Sequence, residues 1–231
     1  MNRRDSLKLG TSIIAGMAIA PSILASETKS EEQTMDSFWE VIKNRRSVRN
    51  YKPNPIPEEH LIKIVDAARM APCSGNEQPW KFIIIQDKKQ IDALKKECTK
   101  RIEAELKKES NLEGDAFNKE MQKRVDRRLT GRFSAPAFIV VLSDNQRQYP
   151  DYNKHDGPLA AGYLLLAARA LGYGTVYMTD SIPEEVTKKV LNIPDRYTQV
   201  CVTPVGIPVE WPKIDKKKLD EFIVKESFNI K

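Results

Sequence analysis

Cysteine and histidine are scarce: three cysteines and two histidines in 231 residues. Cys73, Cys98 and Cys201 show no Cys-x-x-Cys spacing, and an odd number does not close a disulfide framework. With His60 and His155 as the sole imidazoles, nothing supports a zinc site. The chain also lacks a Gly-x-Ser-x-Gly elbow, a Gly-x-x-x-x-Gly-Lys phosphate loop and a Gly-x-Gly-x-x-Gly pyrophosphate turn. These absences argue against a serine hydrolase, a P-loop nucleotidase and a Rossmann dinucleotide binder. No internal repeat or low-complexity tract is present.

Charge excludes less. Lys and Arg number 38 against 32 acids, a formal net charge of +6. That excess can attract an anionic cofactor or an acidic surface. No dense basic tract interleaves with aromatics, so nucleic-acid binding is not expected.

Long apolar runs are also missing. The apolar stretch from Leu9 to Ala20 is shorter than the roughly 20 residues that span a bilayer, so no stable membrane span is expected. It follows Arg3, Arg4, Asp5, Ser6, Leu7 and Lys8, and small residues to Ala25 and Ser26 come after it. A positive start, short apolar middle and small-residue exit read as an export signal over 1–25, with the paired arginines fitting the twin-arginine pattern. An ordinary signal that happens to hold two arginines is the alternative. No cysteine follows for lipid attachment. Residues 26–35 read as a polar, flexible lead-in and 36–231 as one domain. The expected location is the periplasm or cell envelope. Twin-arginine export carries folded proteins, which suits a chain that acquires a cofactor first.

Within the domain, Asp36 to Asn44 reads as a short helix with Phe38, Val41 and Ile42 inward. Pro57, Glu58 and Glu59 start the next helix, with Leu61, Ile64, Val65 and Ala68 at helical spacing. Strands are expected at Phe82–Ile85, Ala137–Leu142, Thr175–Met178 and Gln199–Val205. Lys88 to Arg132 is strongly charged and reads as two solvated helices broken around Ser110 to Asp115. Pro183 to Leu191 reads as a helix. Leu159 to Leu171 has almost no polar face, so it is expected to be a buried central helix, packed also against a partner subunit. Irregular alternation of strands and helices indicates an α+β or three-layer arrangement with one sheet.

Two blocks carry the chemistry. Arg45, Arg46, Ser47, Val48 and Arg49 pack three guanidiniums and a hydroxyl into five residues, a cluster suited to clamping one phosphate. Taken alone, it also suits a solvated basic turn. Ala71-Pro72-Cys73-Ser74-Gly75-Asn76-Glu77-Gln78-Pro79-Trp80 is small and polar, able to bring backbone donors and an amide to a flat polar ring. Together the blocks suggest a phosphorylated, planar cofactor. Cys98 and Cys201 read as packing residues. Cys73 reads either as a small filler or as a redox thiol.

These blocks, followed by Leu171 to Thr175 and Pro204 to Pro208, resemble the nitroreductase family of FMN flavoproteins across about residues 36–231. The resemblance implies a three-layer α/β/α sandwich with one central, mainly antiparallel sheet. It implies an FMN-dependent oxidoreductase that reduces small electron-poor compounds such as nitroaromatics or quinones, with NAD(P)H or another reductant as donor. Arg45, Arg46, Ser47 and Arg49 would contact FMN. Pro72, Cys73, Ser74 and Asn76 would line the ring from the second subunit of a homodimer. Tyr177, Met178 and Thr179 match the family segment along the isoalloxazine, or are plain strand end. The family's late phosphate-binding arginine corresponds to Lys216, with Lys218 as the alternative; lysine keeps the charge and loses the paired fork. An exported copy would meet little nicotinamide. A halogenated-tyrosine reductase would need a lid for a zwitterion, and no Tyr lies between Tyr51 and Tyr149. The other readings are an exported flavin electron carrier, a reductive dehalogenase-like member of the family, and an interaction protein whose basic loop binds an acidic partner.

Overall fold

A computed structural model describes residues 37–227. The expected export signal, residues 1–25, and lead-in, residues 26–35, lie outside the described residues. The described residues fall into two units, divided between Glu40 and Val41. A helix, α1, covers residues 37–44. Its expected inner face is not covered in the single chain, because Phe38 and Ile42 are both exposed.

The larger unit is built on a four-stranded sheet in the order β1-β2-β4-β3, every pair antiparallel. The strands are β1 (Trp80–Ile85), β2 (Ala137–Asp144), β3 (Gly174–Thr175) and β4 (Tyr197–Gly206). All residues of β2 are buried. Phe138, Val140 and Leu142 join one core, and Ala137, Ile139 and Val141 the other. A strand covered on both faces needs apolar residues at both parities, which is why β2 reads as a continuous apolar run.

Helices α3 (Lys88–Glu109) and α6 (Glu184–Leu191) cover the first face. Ile91, Leu94, Cys98, Ile102 and Leu106 form the buried stripe of α3, and its charged residues face water. Asp87 starts α3 by accepting the Lys89 N–H at 2.8 Å. Helices α2 (Glu58–Ala68) and α5 (Asn153–Ala170) cover the opposite face through Leu61, Ile64, Ala68, Ala161, Leu164 and Ala168. A further helix, α4 (Gly114–Val125), buries no residue of its own and leads into a π-helical turn at Asp126–Thr130. The result is an α+β, three-layer sandwich, as expected.

Two expectations are corrected. The third strand is only Gly174–Thr175, although Met178 still bridges Val202. Helix α5 is not buried all round. It starts earlier, at Asn153, and leaves Leu159 (45% exposed) and Tyr163 (43%) on an open stripe. Its small residues, Ala160, Ala161 and Ala168, face inward because the helix lies close on the sheet. Among the described residues no helix is long and apolar enough to cross a membrane.

Candidate functional site

The arginine block runs along the sheet edge. Ser47 bridges Thr175 in parallel, and the Val48 N–H donates to the Thr175 carbonyl at 2.9 Å. The Lys52 N–H continues the zipper to the Ile207 carbonyl at 2.8 Å. Val48 and Tyr51 are buried, so the residues between them are held in register while their side chains point elsewhere. Gly174 permits the close approach: a Cβ there would lie 2.7 Å from Val48 Cγ2. This register places Arg45, Arg46, Ser47 and Arg49 beside the chain that continues into Tyr177, Met178 and Thr179.

Sequence reasoning missed a fourth guanidinium. The Gly131–Ser134 segment docks on Arg49–Tyr51: the Tyr51 N–H donates to Ser134 Oγ at 2.9 Å, and that hydroxyl donates to the Gly131 carbonyl at 2.7 Å. A Cβ on Gly131 would fall 2.0 Å from Asn50 Oδ1 and 2.5 Å from the Arg49 carbonyl. This packing sets Arg132 against the block. One Arg132 Nη donates to the Arg127 and Arg128 carbonyls at 2.8 and 3.0 Å, but Nε is buried with no partner among the described residues. Burial, then repulsion from Arg49, lowers the Arg132 pKa against the opposing pull of Asp180 and Tyr51. Burial, then repulsion from Arg46, likewise lowers that of Arg45. Crowded, partly desolvated guanidiniums favour an incoming anion. The available signal was the Gly-Arg pair just ahead of the β2 run.

The second block is anchored on a different part of the fold. Cys73 is half-buried, and its Sγ accepts the Gln78 N–H at 3.2 Å. Ser74, Gly75 and Asn76 form one 3-10 turn, in which Gly75 and Asn76 have φ of 57° and 56°. Gln78 follows at 51°. Left-handed backbone at the two non-glycine residues costs about 1–2 kcal/mol each. Pro72 and Asn76 are exposed. The turn is held by the 144–156 segment, through Asp156 to Ser74 and through Glu77 to Gln148 and Tyr149. Neither acid was expected from sequence, although Asp156 is the acid in the first turn of α5 and Glu77 the one charge in a small, polar turn.

Tyr177 is exposed, donates its hydroxyl to the Val200 carbonyl at 3.3 Å, and lines an open cleft of about 500 Å³ with Asn145, Asn153, Lys154 and Gln199. Met178 is turned inward: it is 3% exposed, and its N–H and carbonyl both pair with Val202 at 3.2 and 2.9 Å. Its side chain therefore packs in the core, and Tyr177 and Thr179 are the outward-facing members of that trio. Lys216 and Lys218 are exposed in an irregular tail. There Glu221 accepts the Lys218 backbone N–H at 3.2 Å and pairs with Lys217 at 3.7 Å. Nothing in this geometry joins either lysine to the arginine block. Cys98 and Cys201 are core residues whose thiols burial pushes up to about 12.

The arrangement offers a cationic edge for an anion, outward residues suited to one face of a planar ring, and a strained polar turn. The family model for the nitroreductase family matches residues 42–207. An iodotyrosine deiodinase of Thermotoga neapolitana is 31% identical over 174 residues, 75% of this chain and 90% of that protein. A crystal structure of iodotyrosine deiodinase bound to FMN and 3-iodo-L-tyrosine superposes with a TM-score of 0.64 at 28% identity, covering 83% of this chain and all of that one. An FMN-dependent nitroreductase from Clostridium difficile R20291 gives a TM-score of 0.61 at 25% identity, covering 81% of this chain and 98% of that one. The chain belongs to the nitroreductase family.

Proposed function

We propose that this protein is an FMN-dependent oxidoreductase that reduces small electron-poor compounds such as nitroaromatics or quinones. The observation that carries the reading is the cationic edge: Arg45, Arg46, Ser47 and Arg49 zipped to β3 beside Tyr177 and Thr179, with Arg132 behind them. The residues fit FMN, because the buried Arg132 Nε lacks an acceptor and the neighbouring guanidiniums are repelled by one another. When bound, FMN supplies the electron transfer. The chain's part is placement. The arginine block holds the phosphate, and a cation near the pyrimidine edge stabilises negative charge on the ring. The Pro72–Asn76 turn presents backbone and amide groups to the ring.

The open α5 stripe, Leu159 and Tyr163, supports a homodimer in which the turn of one protomer completes the site of its partner. Export through Arg3 and Arg4 remains part of the proposal. Changing both to Lys should abolish twin-arginine export, whereas undiminished export in fractionated cells would leave the ordinary route.

A second reading, reductive dehalogenation of a halogenated aromatic, is favoured by the deiodinase relatives. Against it, the segment expected to form a lid contains no tyrosine. One experiment separates the readings. The purified full chain should be yellow and release FMN, not FAD, on denaturation. After chemical reduction, its flavin should be reoxidised by a nitroaromatic faster than by 3-iodotyrosine. The reverse order favours dehalogenation, and reduced flavin that neither compound reoxidises favours an electron carrier. A colourless protein that takes up no added FMN overturns the proposal.

A further inference from the structure

The turn between Cys73 and Gln78 does not hold its own shape. Its internal hydrogen bonds are few: Asn76 N–H to the Cys73 carbonyl at 3.3 Å, Glu77 N–H to the Ser74 carbonyl at 3.1 Å, Gln78 N–H to Cys73 Sγ at 3.2 Å, and the Gln78 side-chain amide to Asn76 at 3.4 Å. Yet Gly75, Asn76 and Gln78 all sit at positive φ. Such a backbone persists where the surroundings over-determine it.

Here the surroundings are one segment, reached by two carboxylates. Asp156, only 5% exposed in the first turn of α5, accepts the Ser74 N–H at 3.1 Å and faces the Ser74 hydroxyl at 3.5 Å. Glu77 spreads its two oxygens over successive backbone donors, the Gln148 N–H and the Tyr149 N–H, the latter at 2.8 Å. The Tyr149 ring closes the contact: a Cβ on Gly75 would lie 2.6 Å from its Cε2. The Asp144 N–H donates to the Pro79 carbonyl at 2.8 Å at the far end. Gly157, next to Asp156, is pressed against Val200 and Ser143, so this end of α5 is fixed to the sheet. The helix N-terminus also favours the Asp156 carboxylate.

We infer that Asp156 and Glu77 are positioning residues that clamp the Ser74–Asn76 turn in its ring-binding shape and fix that shape to α5. The inference rests on the FMN reading above and goes beyond it, because neither acid contacts a cofactor in that reading. Both act through backbone that the turn presents. The helix that carries Asp156 also carries the open stripe of Leu159 and Tyr163, so the clamp ties the turn of one protomer to the surface where its partner would sit.

The test uses the full-length chain with FMN as the probe. FMN affinity, the visible bands of bound flavin and far-ultraviolet circular dichroism would be measured for wild type, Asp156→Ala, Glu77→Ala and Glu77→Gln. Both alanine variants are expected to bind FMN at least about tenfold more weakly and to displace the flavin bands, the size expected for a lost charge-assisted hydrogen bond. Glu77→Gln keeps one acceptor oxygen but turns an NH2 group toward the second backbone N–H, so it should recover only part of the affinity. Folded alanine variants with wild-type affinity and spectrum overturn the clamp. If Asp156→Ala fails to fold, the Glu77 pair decides by itself. A wild-type chain that takes up no FMN overturns the cofactor reading, and the clamp's function with it. Wild-type binding with unchanged variants overturns the clamp alone.

Discussion

Val48 donates its backbone N–H to the carbonyl of Thr175 across 2.9 Å, and this bond sets the geometry of the cationic edge. It lies between Ser47 and Arg49 on one side and two residues ahead of Tyr177 on the other. The guanidiniums, Tyr177 and Thr179 are therefore placed by sheet register and not by loop flexibility, and a strand edge keeps its donors oriented before any ligand arrives.

Arg49→Ala should weaken FMN binding about tenfold to a hundredfold, the equivalent of about 1.5–3 kcal/mol for a charge-assisted bond. Lys217→Ala should leave it unchanged, because that ammonium is exposed and its contact with Glu221 at 3.7 Å is a weak surface pair. Titration of both apoproteins with FMN checks the contrast, and equal affinities would count against the assignment.

Gly131→Ala should destabilise the fold and loosen the site together. The added methyl meets the Arg49 carbonyl at 2.5 Å, and a backbone oxygen cannot swing aside as a side chain can. Overpacking of this kind costs about 1–3 kcal/mol, a loss of several degrees in the melting midpoint. Thermal melts with and without FMN report both effects.

Leu159→Glu combined with Tyr163→Glu should convert a dimer to monomers and release FMN. Both side chains are exposed on the single chain, so the change should cost the monomer little while placing like charges face to face across the proposed interface. Light scattering at matched concentrations, together with free-flavin fluorescence, gives the readout.

At pH 8 only one of the three cysteines should react quickly with a thiol reagent in the native apoprotein. Cys98 and Cys201 are buried, with thiols raised to about 12, so almost no thiolate is present. Cys73 is half-buried and should be the reactive one. All three should react after unfolding. Because the folded thiols hold their protons longer than the unfolded ones, their contribution to stability is intact at neutral pH. It is lost as pH rises from the ordinary thiol range towards about 12. Urea unfolding across alkaline pH measures the decline, which should be shallower in Cys98→Ala.

Much of the fold was legible because its signals are short-ranged. The buried stripe of α3 repeats every three or four residues, and the apolar run in β2 needs only its own sequence to be recognised. Helix α5 shows where that reading stops. Its composition is apolar on nearly every side, so periodicity could not say which stripe would stay open. The sheet decided, by packing against the face lined with Ala160, Ala161, Leu164 and Ala168 and leaving Leu159 and Tyr163 outside. Met178 shows the same limit: its place beside Tyr177 was readable, but its inward turn follows from pairing with Val202.

The amino-acid sequence by itself determined the chemistry available: a compact arginine cluster and a small polar turn, with no Gly-x-Ser-x-Gly elbow or phosphate loop to compete with them. Tertiary structure alone decided how those parts are held. Arg132 reaches the block through Gly131, and Ser134 bonds Tyr51 from 83 residues away. Asp156 reaches Ser74 from 82 residues away. Propensity, capping and periodicity act over a few residues, so they can be read in place. Contacts over such separations depend on strand order and on which faces pack, and these are properties of the whole sheet that no local stretch of the chain encodes.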